Sequence, residues 1–199
     1  YVERPNTVER IEQGEVVGYL IIAVGILGVL LALYQAAYLI LTRLAVAQQL
    51  RNLNDPKPNN PLGRMLLAFR GDGKVIQNPE LAELRISEAV LREIPKLERF
   101  QAFLRLAVAA GPLLGLIGTV IGMIITFKAI TASGSSDPRL MATGIGQAMI
   151  ATVLGLGIAI PLLFINSGLV TLSRGVTRIL DEQAHTLLAQ SSDQRKRTA

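Results

Sequence analysis

The chain has no cysteine and a single histidine, His185. The first absence rules out a disulfide framework and thiolate metal sites, and a lone imidazole cannot build a histidine cluster. No metal, no cofactor and no enzymatic site are therefore expected. Carboxylates are missing over two long stretches, one between Glu98 and Asp137 and one between Asp137 and Asp181.

What is present is apolar. Of 199 residues, 50% are hydrophobic and the mean hydropathy is +0.42, which places the chain among membrane proteins. Crossing a hydrocarbon core takes about 20 apolar residues. Three stretches satisfy this, residues 16–42, 104–130 and 140–170, and the expected fold class is an all-α membrane protein with three transmembrane helices. Residues 1–15 form a polar leader carrying Glu3, Glu9, Glu12 and Glu15, acidic where a signal peptide would be basic, so the first span reads as retained. A start at Tyr1 rather than Met suggests a fragment or a processed form.

The 20 Lys and Arg residues are unevenly placed: 11 lie from Arg43 to Arg105 and five from Arg174 to Arg197. The positive-inside rule puts residues 43–103 and the helical tail 171–199 in the cytoplasm, with residues 1–15 and the turn 131–139 outside. The topology is then N-out, C-in. This placement accounts for the net charge of +5 without a nucleic-acid partner, and the basic run near the C-terminus reads as a topology determinant or lipid contact.

Local signals subdivide the chain further. Tyr19, Tyr34 and Tyr38 sit toward the ends of the first span as interfacial anchors, and Gln35 is its strongly polar interior residue. The prolines of 52–61 end the helix that leaves the membrane, and a short helix over 62–69 precedes a Gly71, Asp72, Gly73 turn. Asn78, Pro79 and Glu80 form a helix start, from which the pattern stays helical into the second span, bent at Pro95 and again at Gly111 and Pro112. The short turn 131–139 makes the second and third spans an antiparallel hairpin. Beyond Pro161 and Asn166 the third span continues as an amphipathic helix.

Each half of the hairpin carries a stripe of small residues with one Thr near its middle. The first reads Gly111, Gly115, Gly118, Thr119, Gly122, Thr126; the second, displaced by 33 positions throughout, reads Gly144, Ala148, Ala151, Thr152, Gly155, Ala159. Such spacing lies on one helical face and suits contact with other helices rather than lipid. Thr119 lies 12 residues before Thr131 and Thr152 lies 12 after Leu140, so the hydroxyls share one level, about 18 Å from the outer edge. A symmetric oligomer would repeat the pair as a ring. Threonine cannot titrate at physiological pH, and a proton path lined by this ring needs an ionisable group from a partner helix. Gln147, five residues outward of Thr152, is a further intramembrane polar group able to bind such a guest.

GPLLGLIGTVIGM at 111–123 and GIGQAMIATVLGLGIAIP at 144–161 resemble the signature hairpin of the ExbB, TolQ and MotA proton-channel family. The resemblance covers nearly the whole chain from about Val16. It implies a homo-oligomeric ring, a pentamer in the usual case, around single-span ExbD-, TolR- or MotB-like partners whose transmembrane Asp carries the proton. The family's pore threonines fall on Thr119 and Thr152, and its glycine-proline on Gly111 and Pro112. Enterobacterial ExbB and TolQ have Glu where this chain has Gln147. That departure resembles longer ExbB-like members and, with a cytoplasmic segment of only roughly 60 residues, favours a TonB-type role in the bacterial inner membrane, with a TonB-like transducer, over a flagellar stator. Taken alone, the small-residue stripes also fit a non-conducting scaffold, and TolQ- or MotA-like subunits stay open.

Overall fold

A computed structural model of the chain describes residues 16–70, 78–134 and 137–198. The acidic leader and the Gly71, Asp72, Gly73 turn lie outside the described residues. Five helices follow in order: α1 (Val16–Arg51), α2 (Pro61–Arg70), α3 (Pro79–Leu97), α4 (Gln101–Ser133) and α5 (Pro138–Thr198). Among the described residues no strand occurs, and three helical stretches are long and apolar enough to cross a membrane. The all-α membrane class holds. α1 has 36 residues, α4 has 33 and α5 has 61, each more than the roughly 20 that a hydrocarbon core takes.

The chain divides into two compact units, one of residues 16–32 with Ala102–Asn166, the other of Leu33–Gln101 with residues 167–198. In the first, α1 buries Val17, Ile21, Gly25, Gly28 and Ala32, spaced by three or four residues on one face. A Cβ added to Gly25 would meet the Ile158 side chain, and one at Gly28 would meet Leu162 and Leu104. α4 and α5 run antiparallel, so the start of one stripe meets the end of the other: Gly111 lies against Gly155 and Ala159, Gly122 against Ala148, and Thr126 against Gly144. The opposite faces carry large side chains left outside, with Leu113 60%, Val153 67% and Phe164 73% exposed. A surface of that kind belongs against lipid or another protein rather than water.

In the second unit, buried polar groups organise the backbone. The loop after α1 closes around Gln49, whose Nε2 donates to the carbonyls of Asn52 (2.7 Å) and Asp55 (3.2 Å) and whose Oε1 accepts from Lys57 N (3.0 Å) and Asn60 Nδ2 (3.2 Å). Asn60 then caps α2, its Oδ1 accepting from Gly63 N at 2.6 Å with Pro61 as first helical residue. Gly63 has to be glycine, because a Cβ there would overlap the Lys57 carbonyl. Asn78 and Pro79 start α3 in the same way, Asn78 Oδ1 accepting from Glu80 N at 3.1 Å.

One expectation fails. The helix from Pro79 does not pass into the second span with only a bend at Pro95; it stops at Leu97, and α4 begins at Gln101. Pro95 removes one backbone donor, and three residues later the chain turns through Glu98–Phe100, with Phe100 at φ 65° in the left-handed region. Gln35, fully buried on α1, supplies the missing donors: its Nε2 bonds the Lys96 carbonyl at 3.1 Å and the Leu97 carbonyl at 3.0 Å. The Phe100 ring meets Tyr34 edge-on at 6.1 Å, and Gln101 Nε2 donates to Ser173 Oγ at 2.9 Å.

α2 and α3 are joined by a bidentate ion pair, Arg64 Nε to Glu93 Oε1 and Arg64 Nη2 to Glu93 Oε2, both 2.7 Å, with Lys96 Nζ 3.7 Å from the same carboxylate. Burial alone would raise the Glu93 pKa, but the hydrogen bonds and charge of Arg64, with Lys96, outweigh it and hold the carboxyl below its ordinary value. A carboxyl lowered on folding stabilises the fold at every pH above the ordinary carboxylate range, about 4.3 for Glu, and that contribution is lost as pH falls through the folded value. Glu93→Gln should therefore cost about 1.5–3 kcal/mol of unfolding free energy at neutral pH. Acidification of the wild type through pH about 4 and below should speed hydrogen exchange of α2 amides, and Glu93→Gln should flatten that dependence at this site.

Candidate functional site

Thr119 and Thr152 lie on facing helices, each 14 residues from the end of its helix at the turn, Ser133 on α4 and Pro138 on α5. Equal distance along antiparallel helices brings them to one level, about 21 Å from those ends. The structure places the hydroxyl oxygens 2.5 Å apart, in direct hydrogen-bond contact.

Two backbone carbonyls complete the arrangement. Thr119 Oγ1 lies 3.1 Å from the Gly115 carbonyl and 3.3 Å from that of Ala148, and Thr152 Oγ1 lies 3.4 Å from the same Gly115 oxygen. Each hydroxyl has one proton and two lone pairs. Thr152 can donate to Thr119 while Thr119 donates to a carbonyl, or the order reverses, with Thr119 donating to Thr152 and Thr152 to Gly115. Either direction satisfies both protons.

Small residues make these approaches possible. A Cβ added to Gly115 would lie 3.0 Å from the Ala151 carbonyl and from Thr152 Cα, one at Gly118 would lie 2.5 Å from Ala151 Cβ, and one at Gly111 would lie 2.7 Å from the Gly155 carbonyl. The two backbones are thus as close as peptide groups allow. Both threonines are only part-buried in the single chain.

The remaining sequence-selected residues fall in different surroundings. Gln147 is exposed on α5, and its side chain makes no hydrogen bond among the described residues. Ala148, Ala151 and Gly155 belong to the helix contact, and Gly144 faces Thr126, whose own hydroxyl donates to the Gly122 carbonyl at 2.8 Å. Pro112 and Pro161 sit inside helices that continue past them. Two participants were not visible in the sequence, the carbonyls of Gly115 and Ala148. Their only sequence trace is that both residues are small enough to let a hydroxyl reach the main chain.

Charge near the pair is confined to the span ends, at Arg105 and Lys128, and no cluster of three His, Cys, Asp or Glu occurs among the described residues. The hydroxyl pair can accept or donate a hydrogen bond but holds no titrating group. Within the apolar stretches of α4 and α5 no carboxyl lies beside the pair.

Comparison with known proteins accords with this hairpin. Residues 57–182 match the family model described as the MotA/TolQ/ExbB proton channel family. A putative biopolymer transport protein ExbB homolog of Methanothermobacter thermautotrophicus is 35% identical over 177 residues, 79% of this chain and 61% of that protein. The biopolymer transport protein exbB1 of Vibrio cholerae is 42% identical over 93 residues, 45% of this chain and 40% of that protein. The Tol-Pal system protein TolQ of Haemophilus influenzae is 40% identical over 73 residues, 37% of this chain and 32% of that protein. The chain therefore spans less than two thirds of the length of each. With the family model covering more than half of its residues, and the matched region containing both threonines and both stripes, the chain belongs to the MotA/TolQ/ExbB proton channel family.

Proposed function

We propose that this chain is the proton-channel subunit of an ExbB–ExbD-type motor in the bacterial inner membrane, which uses the proton motive force to energise TonB-dependent outer-membrane transport. The observation that carries the reading is the Thr119–Thr152 hydroxyl pair, set at one level in a hairpin whose interior holds no titrating group. Its topology is N-out, C-in, with spans at 16–42, 104–130 and 140–170. Copies of the chain form a ring, a pentamer, around the transmembrane helix of an ExbD- or TolR-like protein, and the exposed apolar faces meet lipid and neighbouring copies.

The geometry suits a guest carboxyl in both of its states. A carboxylate can accept a hydrogen bond from one hydroxyl while the other hydroxyl stays bonded to its neighbour or to the Gly115 carbonyl, and a protonated acid can donate to a threonine lone pair. The threonines need not change charge. Loading and unloading of the guest acid would drive motion of guest against ring, passed to a TonB-like transducer. Gln147, exposed and without a side-chain hydrogen bond among the described residues, would bond a neighbouring copy or the guest helix, and it cannot titrate as a Glu there would.

The similarity to a TolQ protein supports a second reading, in which the partner is TolR-like and the output serves a Tol-Pal system. Co-purification separates the readings: a partner with a peptidoglycan-binding domain favours a TolR- or MotB-like protein, one without it an ExbD-like protein.

Substitution at the pair tests the pore role. Interhelical hydrogen bonds in membranes contribute about 0.6–2 kcal/mol, too little for one loss to dismantle a helix hairpin. Thr119→Val, which keeps the shape, and Thr152→Ala should both leave oligomer size unchanged by native gel while reducing energised transport at least tenfold. Transport at wild-type rate in an assembled Thr119→Val variant would sink the pore role and favour the scaffold.

A further inference from the structure

The second unit holds a groove of about 650 Å³ between α2 and α3 that has no part in the hydroxyl site. One wall is basic. Arg85, Arg92 and Lys96 follow one another along a face of α3, and Arg64 stands opposite on α2. Two carboxylates also line the groove, but both are engaged: Glu93 by Arg64 at 2.7 Å, and Glu88 by Arg92 at 2.6 Å. Arg85 has no ion pair among the described residues, and Lys96 reaches Glu93 only at 3.7 Å. Four cations against two committed carboxylates leave an unspent positive charge.

Part of the lining is apolar, supplied by Leu67, Ala68 and Ala89, with Leu67 40% exposed. Shape narrows the ligand class. From Arg85 to Lys96 the basic wall runs 11 residues of helix, about 16 Å. An extended peptide rises about 3.3 Å per residue and covers that length in about five residues, with alternate side chains on opposite sides. Acidic side chains at every second position would meet the arginines while the intervening apolar ones meet Leu67 and the alanines. A compact phosphate would engage one end of the wall and leave the apolar part uncovered. Arginine clusters recognise acidic motifs through charge-assisted, often bidentate hydrogen bonds.

We propose that this groove is a docking site for an extended acidic peptide segment of another protein, with apolar residues alternating between its carboxylates. The site is independent of the membrane hydroxyl pair, and its test reads binding rather than transport.

The full-length chain in detergent micelles is titrated with a fluorescein-labelled eight-residue peptide of alternating Glu and Leu, with a Gln-for-Glu counterpart as control. Saturable binding of the Glu peptide, absent for the Gln peptide and weakened by added salt, is expected. Arg85→Ala with Arg92→Ala should weaken it at least tenfold, and Arg85→Glu alone at least fivefold, with helix content by circular dichroism unchanged because both side chains are exposed. Absence of saturable binding, equal binding of the Gln peptide, or undiminished affinity in both variants overturns the proposal. Binding of phosphatidylglycerol vesicles that is lost in the double variant, without peptide binding, overturns it in favour of a lipid site. Displacement of the peptide by inorganic phosphate at equal concentration overturns it in favour of a simple anion site.

Discussion

Contact between two main chains is the constraint on which the hairpin depends. In a bilayer no hydrophobic force draws one helix to another, so association rests on packing and on hydrogen bonds between helices. Gly111 against Gly155, Gly115 against Ala151 and Gly122 against Ala148 leave little between α4 and α5 but backbone, alanine methyls and the two threonines. That proximity is what lets Thr119 reach across to the Ala148 carbonyl and Thr152 to that of Gly115. A methyl group added at Gly155 would overlap the Gly111 carbonyl, so separation and hydroxyl geometry are one property of the same stripe.

The second unit solves a different problem with similar residue types. Its buried amides are spent on main-chain carbonyls and on turns: Gln49 closes the proline-rich loop, Asn60 caps α2, and Gln35 receives the end of α3. Because an unpaired buried peptide group costs as much as a lost hydrogen bond, these side chains decide where helices stop. In the first unit, by contrast, the paired hydroxyls end no helix. Their protons are held in an arrangement that can reverse, which suits exchange with a visiting group better than it suits rigidity.

Much of this was legible in residue order alone. The three spans, the antiparallel hairpin, the common level of Thr119 and Thr152 and the start of α3 at Asn78 and Pro79 all follow from composition, helical period and capping chemistry. The break at Glu98–Phe100 was not. Pro95 is the visible breaker, but the helix ends two residues beyond it, at Leu97, where Gln35, more than 60 positions earlier, provides the donors, and no local pattern carries that information. The cap at Asn60 and Pro61 repeats the signal at Asn78 and Pro79, yet it hid within a run of asparagines and prolines. The carbonyls at the site were invisible for a simpler reason: every residue has one, and only tertiary approach selects two of them.

α5 continues as one helix from Pro138 to Thr198, whereas α4 follows a non-helical turn that ends at Phe100. An uninterrupted helix is stiff in torsion, because each peptide is tied to the one four residues on; a turn without that ladder is compliant. Thr119 therefore stands 18 residues from the start of its helix at Gln101, whereas the helix that carries Thr152 continues for 46 residues beyond it.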